Sequence, residues 1–247
     1  MANVFDWRLI FSNIPELMQY LPITLEVTII SYVMSLVVGL AVALIKIHKP
    51  RVLYQITAFY VSFTRGTPVL VQLYLTYFGI PMILQFINYK WGTNYNASFI
   101  PSIVFALVAL SLNSAAYNSE FIRAAIESVD RGQIEAANSI GMTGWQTLRR
   151  IVIPEAFVVA LPSLGNALIN MAKSTSLVFT CAVVDITAGG KLIAGRNYRY
   201  FEMYLSLSII YWAITLVIST IFRYLEKRVK VGDKEVVVIY DRSKKAA

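Results

Sequence analysis

Charge is scarce in this sequence. Only 15% of its 247 residues are charged and 57% are hydrophobic, whereas a soluble domain carries about 25% charged residues. The mean hydropathy is +0.61. Because so few charged groups cannot cover a water-soluble surface, the lipid bilayer is the expected solvent. The length leaves room for several membrane spans in one domain, so a single domain over 1–247 is expected.

Thiols and imidazoles are almost absent. Cys181 is the only cysteine and His48 the only histidine, which excludes an internal disulfide and a thiolate metal cluster. We expect Cys181 to be buried and no metal to bind at His48. Gly189–Lys191 lacks the earlier glycine of a phosphate-binding loop, so this chain is predicted to bind no cofactor and to hydrolyse no ATP itself.

Long apolar runs are abundant instead. A helix needs about 20 mostly apolar residues to cross a bilayer, and five segments meet that requirement. The second contains Gly66–Pro68 and the fourth Pro162, which are signals for a bend or a break. The predicted spans are Leu21–Ile45, Val52–Tyr77, Phe99–Phe121, Glu155–Val184 and Met203–Phe222.

The Lys and Arg residues predict the orientation, because they accumulate in cytoplasmic loops. Fifteen of them follow spans one, three and five, and five lie on the other side. The N-terminus is therefore predicted outside and the basic C-terminal tail, about 223–247, in the cytoplasm. The cytoplasmic surplus of Lys and Arg accounts for most of the net charge of +8, and contact with anionic lipid accounts for the charge of the tail. Nucleic acid is not an expected partner.

A polar segment, about 127–154, interrupts the apolar chain between spans three and four. Glu135–Ile140 favours a helix that Gly141 ends in a left-handed turn. Thr143 and Gln146 have the spacing of a capping box and predict a second helix. This helix is expected to stop before Pro154, since the residue preceding a proline avoids the helical region.

One face of the second helix is predicted to carry Trp145, Leu148 and Val152, with Arg149 and Arg150 near its end. Physical properties alone leave two interpretations open. The polar segment is either an amphipathic helix pair on the lipid headgroups or a rigid cytoplasmic element that another protein holds.

The spacing of the polar segment resembles the signature of ABC importer permeases: EAA, three residues, G, nine residues, I, one residue, LP. Here it reads Glu135-Ala136-Ala137, Gly141 and Ile151-Val152-Ile153-Pro154, with Ile153 where leucine is usual. Further blocks resemble the polar amino-acid permease subfamily, which usually has Asp or Asn where this chain has Ser174. These blocks are Phe63–Tyr74, Ala115–Ala137 and Leu161–Val178.

The resemblance implies an all-α, polytopic fold of the type I ABC importer permease, in a bacterial inner membrane. The polar segment would be its coupling helix, docked on a dimer of separate ATPase subunits that hold ATP and Mg²⁺. A second permease copy or paralogue, an extracytoplasmic solute-binding protein and an amino-acid substrate are the other implied partners. The coupling residues are Glu135, Ala136, Ala137, Gly141, Thr143, Trp145, Arg149 and Pro154.

Ionisable residues at membrane depth are candidates for the substrate path, because they usually face a cavity or a partner. For three groups, structural roles are alternatives: a Glu120–Lys173 ion pair, backbone capping by Arg65, and a helix cap or loop contact by Asp185. Neutral polar residues complete the set. The candidates are Arg65, Glu120, Lys173, Asp185, Asn113, Tyr117 and Asn170.

The substrate class stays open between cystine, basic, amide and acidic amino acids, with a preference for cystine from the look of Ile87–Asn96. The loop Asn88–Ala97 is expected to support docking of the solute-binding protein. An ion-gradient-driven secondary transporter is an alternative, but most such folds contain internal repeats and none is visible. A non-transporting membrane scaffold would leave the spaced signature unexplained.

Overall fold

The computed structural model describes the backbone of residues 5–245 and the side chains of residues 5–229. Helices dominate it, and short 3₁₀ turns cover Ala97–Phe99 and Thr175–Cys181. The α-helices are α1 Trp7–Ser12, α2 Ile14–Met18, α3 Leu21–His48, α4 Arg51–Gly66, α5 Val69–Trp91, α6 Ser102–Glu127, α7 Arg131–Ser139, α8 Gly144–Thr147, α9 Ile153–Ser174, α10 Ile186–Asn197 and α11 Tyr200–Lys245.

Five helical stretches are long and apolar enough to cross a membrane. These five helices confirm the prediction of an all-α, multi-pass membrane protein. The side chains of the tail beyond residue 229 lie outside the described residues. The spans are Leu21–His48, Val69–Trp91, Ser102–Glu127, Gly144–Cys181 and Tyr200–Val229.

The predicted second span, Val52–Tyr77, is wrong. Helix α4 ends at Gly66, and Thr67 and Pro68 are both extended, with ψ of 144° and 138°. Pro68 disfavours the helical conformation at Thr67 and cannot donate a backbone hydrogen bond. The Gln72 amide compensates at the break, because it donates to the carbonyl oxygens of Thr64 at 2.8 Å and Thr67 at 3.1 Å.

The predicted helix stop before Pro154 is also wrong. A π-helical turn over Leu148–Val152 joins α8 to α9, with the Ile153 N–H bonded to the Leu148 carbonyl. Pro154 then falls in the first turn of α9. Pro162 lies inside α9 without ending it. The result is one 38-residue helical run, Gly144–Cys181.

Helices α3 and α6 form the centre of the fold. Their interface consists of small and weakly polar side chains, which let two helix backbones approach closely in lipid. A Cβ on Gly39 would lie 3.1 Å from the Asn118 Cβ and 3.2 Å from the Ala115 carbonyl oxygen. Asn118 is fully buried there and donates to Ser35 Oγ at 2.9 Å. This contact fixes the register of α3 on α6.

The other spans pack around this pair. Helix α6 also contacts α5 and α9, and α9 contacts α11. Cys181 is buried in the central apolar cluster, as predicted. The other buried members of this cluster are Val27, Leu73, Ala106, Ala109, Leu110, Met171, Val178 and Val183.

Helix α10 packs against the start of α3 through a glycine. A Cβ on Gly189 would overlap the Tyr20 ring, with Cε2 2.6 Å away. We expect Gly189→Ala to destabilise the protein by about 1–3 kcal/mol, because an added methyl group forces a packed ring aside. Thermal unfolding of the detergent-solubilised protein measures this loss.

Gly195→Ala is the matched control on the same helix, since its nearest neighbour would be the Tyr200 hydroxyl at 3.9 Å. This variant is expected to unfold at or slightly above the wild-type temperature, because alanine favours helix over glycine. Equal unfolding temperatures for the two alanine variants would contradict the close packing of Gly189 on Tyr20.

Candidate functional site

The turn at Gly141 sets the geometry of the polar segment. Gly141 has a φ of +81°, which favours glycine because other residues pay for a left-handed conformation. The Met142 N–H bonds to the Ala137 carbonyl at 3.1 Å and the Gly141 N–H to the Asn138 carbonyl at 3.0 Å. These two bonds form a Schellman motif. The predicted left-handed end of the first helix is therefore confirmed.

A capping box starts the next helix. The Gln146 N–H donates to Thr143 Oγ1 at 3.3 Å, and the Thr143 N–H donates to Gln146 Oε1 at 2.9 Å. These reciprocal bonds satisfy backbone donors at the N-terminus of α8, as predicted. Together, the Gly141 turn and the Thr143 cap fix the direction of α8 relative to α7.

The base of the polar segment packs against the membrane domain. Val152 is 9% exposed and belongs to an apolar cluster with Ala125 and Val129 near the end of α6 and Ala156 on α9. Trp145 faces away from this cluster and is 65% exposed. The predicted face of Trp145, Leu148 and Val152 is thus divided, with one end buried and the other in solvent.

The tip of the polar segment presents uncovered apolar groups. Ile140 is 79% exposed and Trp145 is 65% exposed. Ala137 is the one buried member of the predicted coupling set. Exposed apolar side chains on an otherwise polar element are typical of a surface that contacts another protein or the membrane. The exposed predicted residues are Glu135, Ala136, Gly141, Thr143, Trp145, Arg149 and Pro154.

A second feature, the α6–α9 cavity, has a volume of about 300 Å³. It brings together Asn113, Tyr117 and Asn170, three of the neutral candidates from the sequence. Its size is at the lower end of the range for small-molecule sites. The lining residues are Leu110, Asn113, Ser114, Tyr117, Phe121, Ala167, Asn170, Met171 and Ser174.

Two side chains from the α4–α5 break reach the wall of this cavity. Asn113 Nδ2 donates to Gln72 Oε1 at 3.0 Å. The Arg65 guanidinium carbon lies 5.4 Å from the centre of the Tyr117 ring, within the range of a cation–π contact. Arg65 is exposed. Gln72 was not among the site residues predicted from the sequence. The signal that could have found it is a polar amide side chain in an apolar segment, four residues after Pro68.

Glu120 lies one residue before Phe121 but forms a separate ionic cluster. Its carboxylate pairs with Lys46 on α3 and with Arg123, whose Nη2 is 2.7 Å away. Lys173 is exposed on α9. The Glu120–Lys173 pair considered from the sequence is therefore wrong, because Lys46 takes that position. Whether Glu120 or Lys173 contacts substrate stays a prediction.

Asp185 is completely buried at the start of α10. Its Oδ1 accepts from the Ala188 N–H at 2.9 Å, and its Oδ2 accepts from the Tyr211 hydroxyl at 3.3 Å. This is the helix-capping role, one of the alternatives that the sequence left open. Asp185 is not among the residues that line the α6–α9 cavity, and its contact with substrate stays a prediction.

Burial makes the charge on Asp185 unfavourable and raises the pKa of this carboxyl, although the Ala188 N–H opposes the shift. Since the pKa is higher in the folded than in the unfolded protein, wild-type stability falls as pH rises through the folded pKa. Asp185→Asn keeps a capping oxygen without the charge. We expect this variant to gain stability relative to wild type as the pH rises above the ordinary carboxyl pKa of 3.8, measured by thermal unfolding.

Asp185→Ala removes the capping oxygen as well and is the control. It is expected to lose about 1 kcal/mol at pH 5, the usual contribution of a helix cap. A stability difference between wild type and Asp185→Asn that stays constant with pH would show that the buried carboxyl does not titrate as its burial requires.

Comparison with known proteins identifies this architecture. Residues 9–231 match the family described as "Binding-protein-dependent transport system inner membrane component". The chain belongs to this family. The match spans all five apolar stretches and the polar segment between them. The sequence-based prediction of an ABC importer permease is confirmed, and this permease is therefore a subunit of an ABC transporter.

Individual relatives cover nearly the whole permease. It is 41% identical to the "Probable amino-acid permease protein YxeN" of Bacillus subtilis (strain 168) over 91% of this chain and 96% of the relative. It is 37% identical to the "L-cystine transport system permease protein TcyL" of the same strain, over 98% of both chains.

A solved structure agrees with the fold. The crystal structure of an amino acid ABC transporter with histidines superposes with a TM-score of 0.77 and 36% sequence identity. The superposition covers 91% of the permease and 99% of that chain.

Proposed function

We propose that this permease moves polar amino acids across a bacterial inner membrane by alternating access, driven by ATP hydrolysis on a separate subunit. The polar segment carries the proposal, because it combines a rigid turn, a capped helix start and an uncovered apolar tip. Ile140 and Trp145 at that tip give a partner protein apolar contact area, and Glu135 and Arg149 supply charged contacts. The site fits an ATPase subunit that is docked from outside the membrane domain.

The ATPase pair would hold ATP and Mg²⁺. When it closes, the polar segment moves with it and transmits the movement into α6 and α9, the two helices that flank it. These same helices form the α6–α9 cavity. Closure of the ATPase pair would therefore move the walls of the proposed substrate site directly, because the polar segment is joined to α6 and α9 themselves.

The cavity supports an amino-acid substrate. A zwitterion needs a partner for its carboxylate and acceptors for its ammonium group. Arg65 beside Tyr117 provides a cation, and the side-chain oxygens of Asn113 and Asn170 provide acceptors. Two observations make cystine the first substrate to test. The chain is 37% identical to a relative named as an L-cystine permease, and the segment Ile87–Asn96 resembles the sequence of similar permeases.

The opposite end of the molecule offers a docking place for a solute-binding protein. Asn88 organises the loop after α5, since its Oδ1 accepts from Thr93 Oγ1 at 2.8 Å and from the Tyr95 N–H at 2.9 Å. Tyr89 is 91% exposed beside it. With this loop outside, the N-terminus is also outside and the tail is cytoplasmic, in the orientation that Lys and Arg predict.

A second permease, either an identical copy or a paralogue, would complete the translocation path. Five spans are too few to enclose it, and Asn166, Asn170 and Lys173 on α9 are exposed in the single chain. Two copies would place ten spans around a shared axis.

Affinity purification from detergent-solubilised membranes tests the proposal. We expect an ATPase subunit to co-purify with the permease, and its ATP hydrolysis to rise when the native solute-binding protein and one amino acid are added together. Cystine, glutamine, arginine and glutamate are the amino acids to compare. An intact permease that carries no ATPase, and whose transport follows an ion gradient, would overturn the proposal in favour of a secondary transporter.

A further inference from the structure

The walls of the α6–α9 cavity contain no ionisable acid or base other than Tyr117 among the nine described residues that line it. Two amides, two serines and the Tyr117 hydroxyl are its polar groups, and the other four residues are apolar. A charged group that loses water on binding is costly unless an opposite charge pairs with it. The composition of the wall therefore selects among amino acids by the charge of their side chains.

Charged residues flank the cavity without lining it. Arg65 lies beside Tyr117, and Lys173 directly precedes Ser174 on α9. The nearest acid on α6 is Glu120, and Lys46 and Arg123 already pair with it. A substrate with a cationic side chain would meet the Arg65 guanidinium beside Tyr117 and no carboxylate among the described residues that line the cavity.

Ser174 occupies the decisive position. It lines the cavity beside Asn170 and Met171, and its hydroxyl donates to the Asn170 carbonyl oxygen at 2.9 Å. The hydroxyl is thus turned toward its own helix, and the side chain supplies the cavity with a small neutral surface. A carboxylate at this position would be the only acid on the wall.

We propose that the α6–α9 cavity takes amino acids without a cationic side chain, and that Ser174 determines this selectivity. The inference rests on the proposed function and adds the class of substrate to it. Glutamine and methionine have uncharged side chains and match the neutral wall. The second half of cystine carries one ammonium and one carboxylate group, so it adds no net charge. Arginine and lysine would each bring a side-chain cation without an opposite charge, which costs binding free energy.

Direct binding to the purified permease–ATPase complex, without the solute-binding protein, tests the selectivity of this site alone. Radiolabelled L-cystine, L-glutamine, L-methionine, L-arginine and L-lysine are the probes. We expect at least one of the three probes without net charge to bind wild type, and arginine and lysine to bind at least about tenfold more weakly. Arginine or lysine binding within tenfold of the best probe without net charge would overturn the selectivity and leave the importer function intact.

Three variants test the role of Ser174. Ser174→Asp is expected to gain at least about tenfold in affinity for arginine. Asparagine has nearly the same shape as aspartate but no charge, so Ser174→Asn should gain no affinity for arginine. Ser176→Asp is the matched control. Its hydroxyl also bonds to a backbone carbonyl one turn back, at 2.7 Å to Lys173, but it does not line the cavity.

The outcomes separate the two proposals. If wild type binds none of the five probes, the cavity is not an amino-acid site. The part of the proposed function that places the substrate in this cavity is then wrong. If Ser174→Asp gains no more arginine affinity than Ser174→Asn or Ser176→Asp, the role of Ser174 is wrong. If Ser174→Asp does not assemble with the ATPase, the wild-type comparison of cationic probes with those without net charge decides the proposal.

Discussion

Gly141→Val is expected to reduce ATP-driven uptake at least tenfold while the permease still inserts and accumulates in the membrane. Valine is a β-branched residue, and the φ of +81° at Gly141 lies in a region that costs an L-residue about 1–2 kcal/mol. The nearest heavy atoms are more than 4 Å from a Cβ placed there. The effect therefore comes from the backbone: the turn relaxes, the Schellman bonds are lost, and α8 no longer keeps its direction relative to α7.

The measurements are co-purification of the ATPase, ATP hydrolysis by the complex, and uptake into proteoliposomes. Gly144→Ala is the matched control, because Gly144 is three residues away, has no positive φ and also has open space around a Cβ. Gly141→Asn should retain most of the activity, since asparagine tolerates the left-handed region. Normal uptake by Gly141→Val would show that the turn does not orient the coupling surface.

Glu135→Lys tests the same surface without changing the backbone. Glu135 is exposed on α7, so the substitution is expected to leave folding intact and to weaken ATPase co-purification. If Glu135→Lys and Gly141→Val both transport normally, the polar segment is not the coupling element.

Glu120→Gln is expected to destabilise the permease by about 2–3 kcal/mol. The Glu120 side chain is 16% exposed and pairs with Lys46, whose side chain is 15% exposed. Removing one partner from a largely buried ion pair leaves the other charge poorly solvated, which costs about 3–5 kcal/mol in a fully buried site. Partial exposure reduces that figure. Thermal unfolding of the detergent-solubilised complex measures the loss.

Glu127→Gln provides the control, because Glu127 pairs with Arg123 at 2.6 Å but its side chain is 48% exposed. An exposed pair contributes about 0–1 kcal/mol. Adding Lys46→Gln to Glu120→Gln should recover part of the lost stability, since it removes the unpaired ammonium group. Equal losses for Glu120→Gln and Glu127→Gln would show that the burial of the Lys46 pair contributes nothing.

The apolar spans were predictable because length and hydropathy alone determine whether a helix can cross a bilayer. The predicted span Leu21–Ile45 overlaps almost all of α3, and Met203–Phe222 lies inside α11. The second span failed because hydropathy does not distinguish a bent helix from two separate helices. Gly66–Pro68 signalled a bend or a break from the sequence, and the extended backbone at Thr67 and Pro68 shows that it is a break. The Gln72 amide satisfies the exposed carbonyls there.

The local geometry of the polar segment was equally predictable, since Gly141, Thr143 and Gln146 act on neighbouring backbone groups. Pro154 was misjudged because the preference of the residue before proline is only a local tendency. Ile153 is helical here, with φ of −63° and ψ of −49°, and its N–H bonds to the Leu148 carbonyl in a π-turn. The partner of Glu120 was missed for another reason. Lys46 is 74 positions away, and the pairing depends on the register of α3 on α6, which the contact at Gly39 sets.

The helical continuity of Gly144–Cys181 has a mechanical consequence. Trp145 lies near one end of this run and Asn170 lines the cavity 25 residues later, a span of about 37 Å at 1.5 Å per residue. No break in the helix separates them among the described residues. Under the proposed function, a movement that the ATPase imposes at the Trp145 end would therefore reach the cavity wall through the helix itself, and the π-turn at Leu148–Val152 lies on that path.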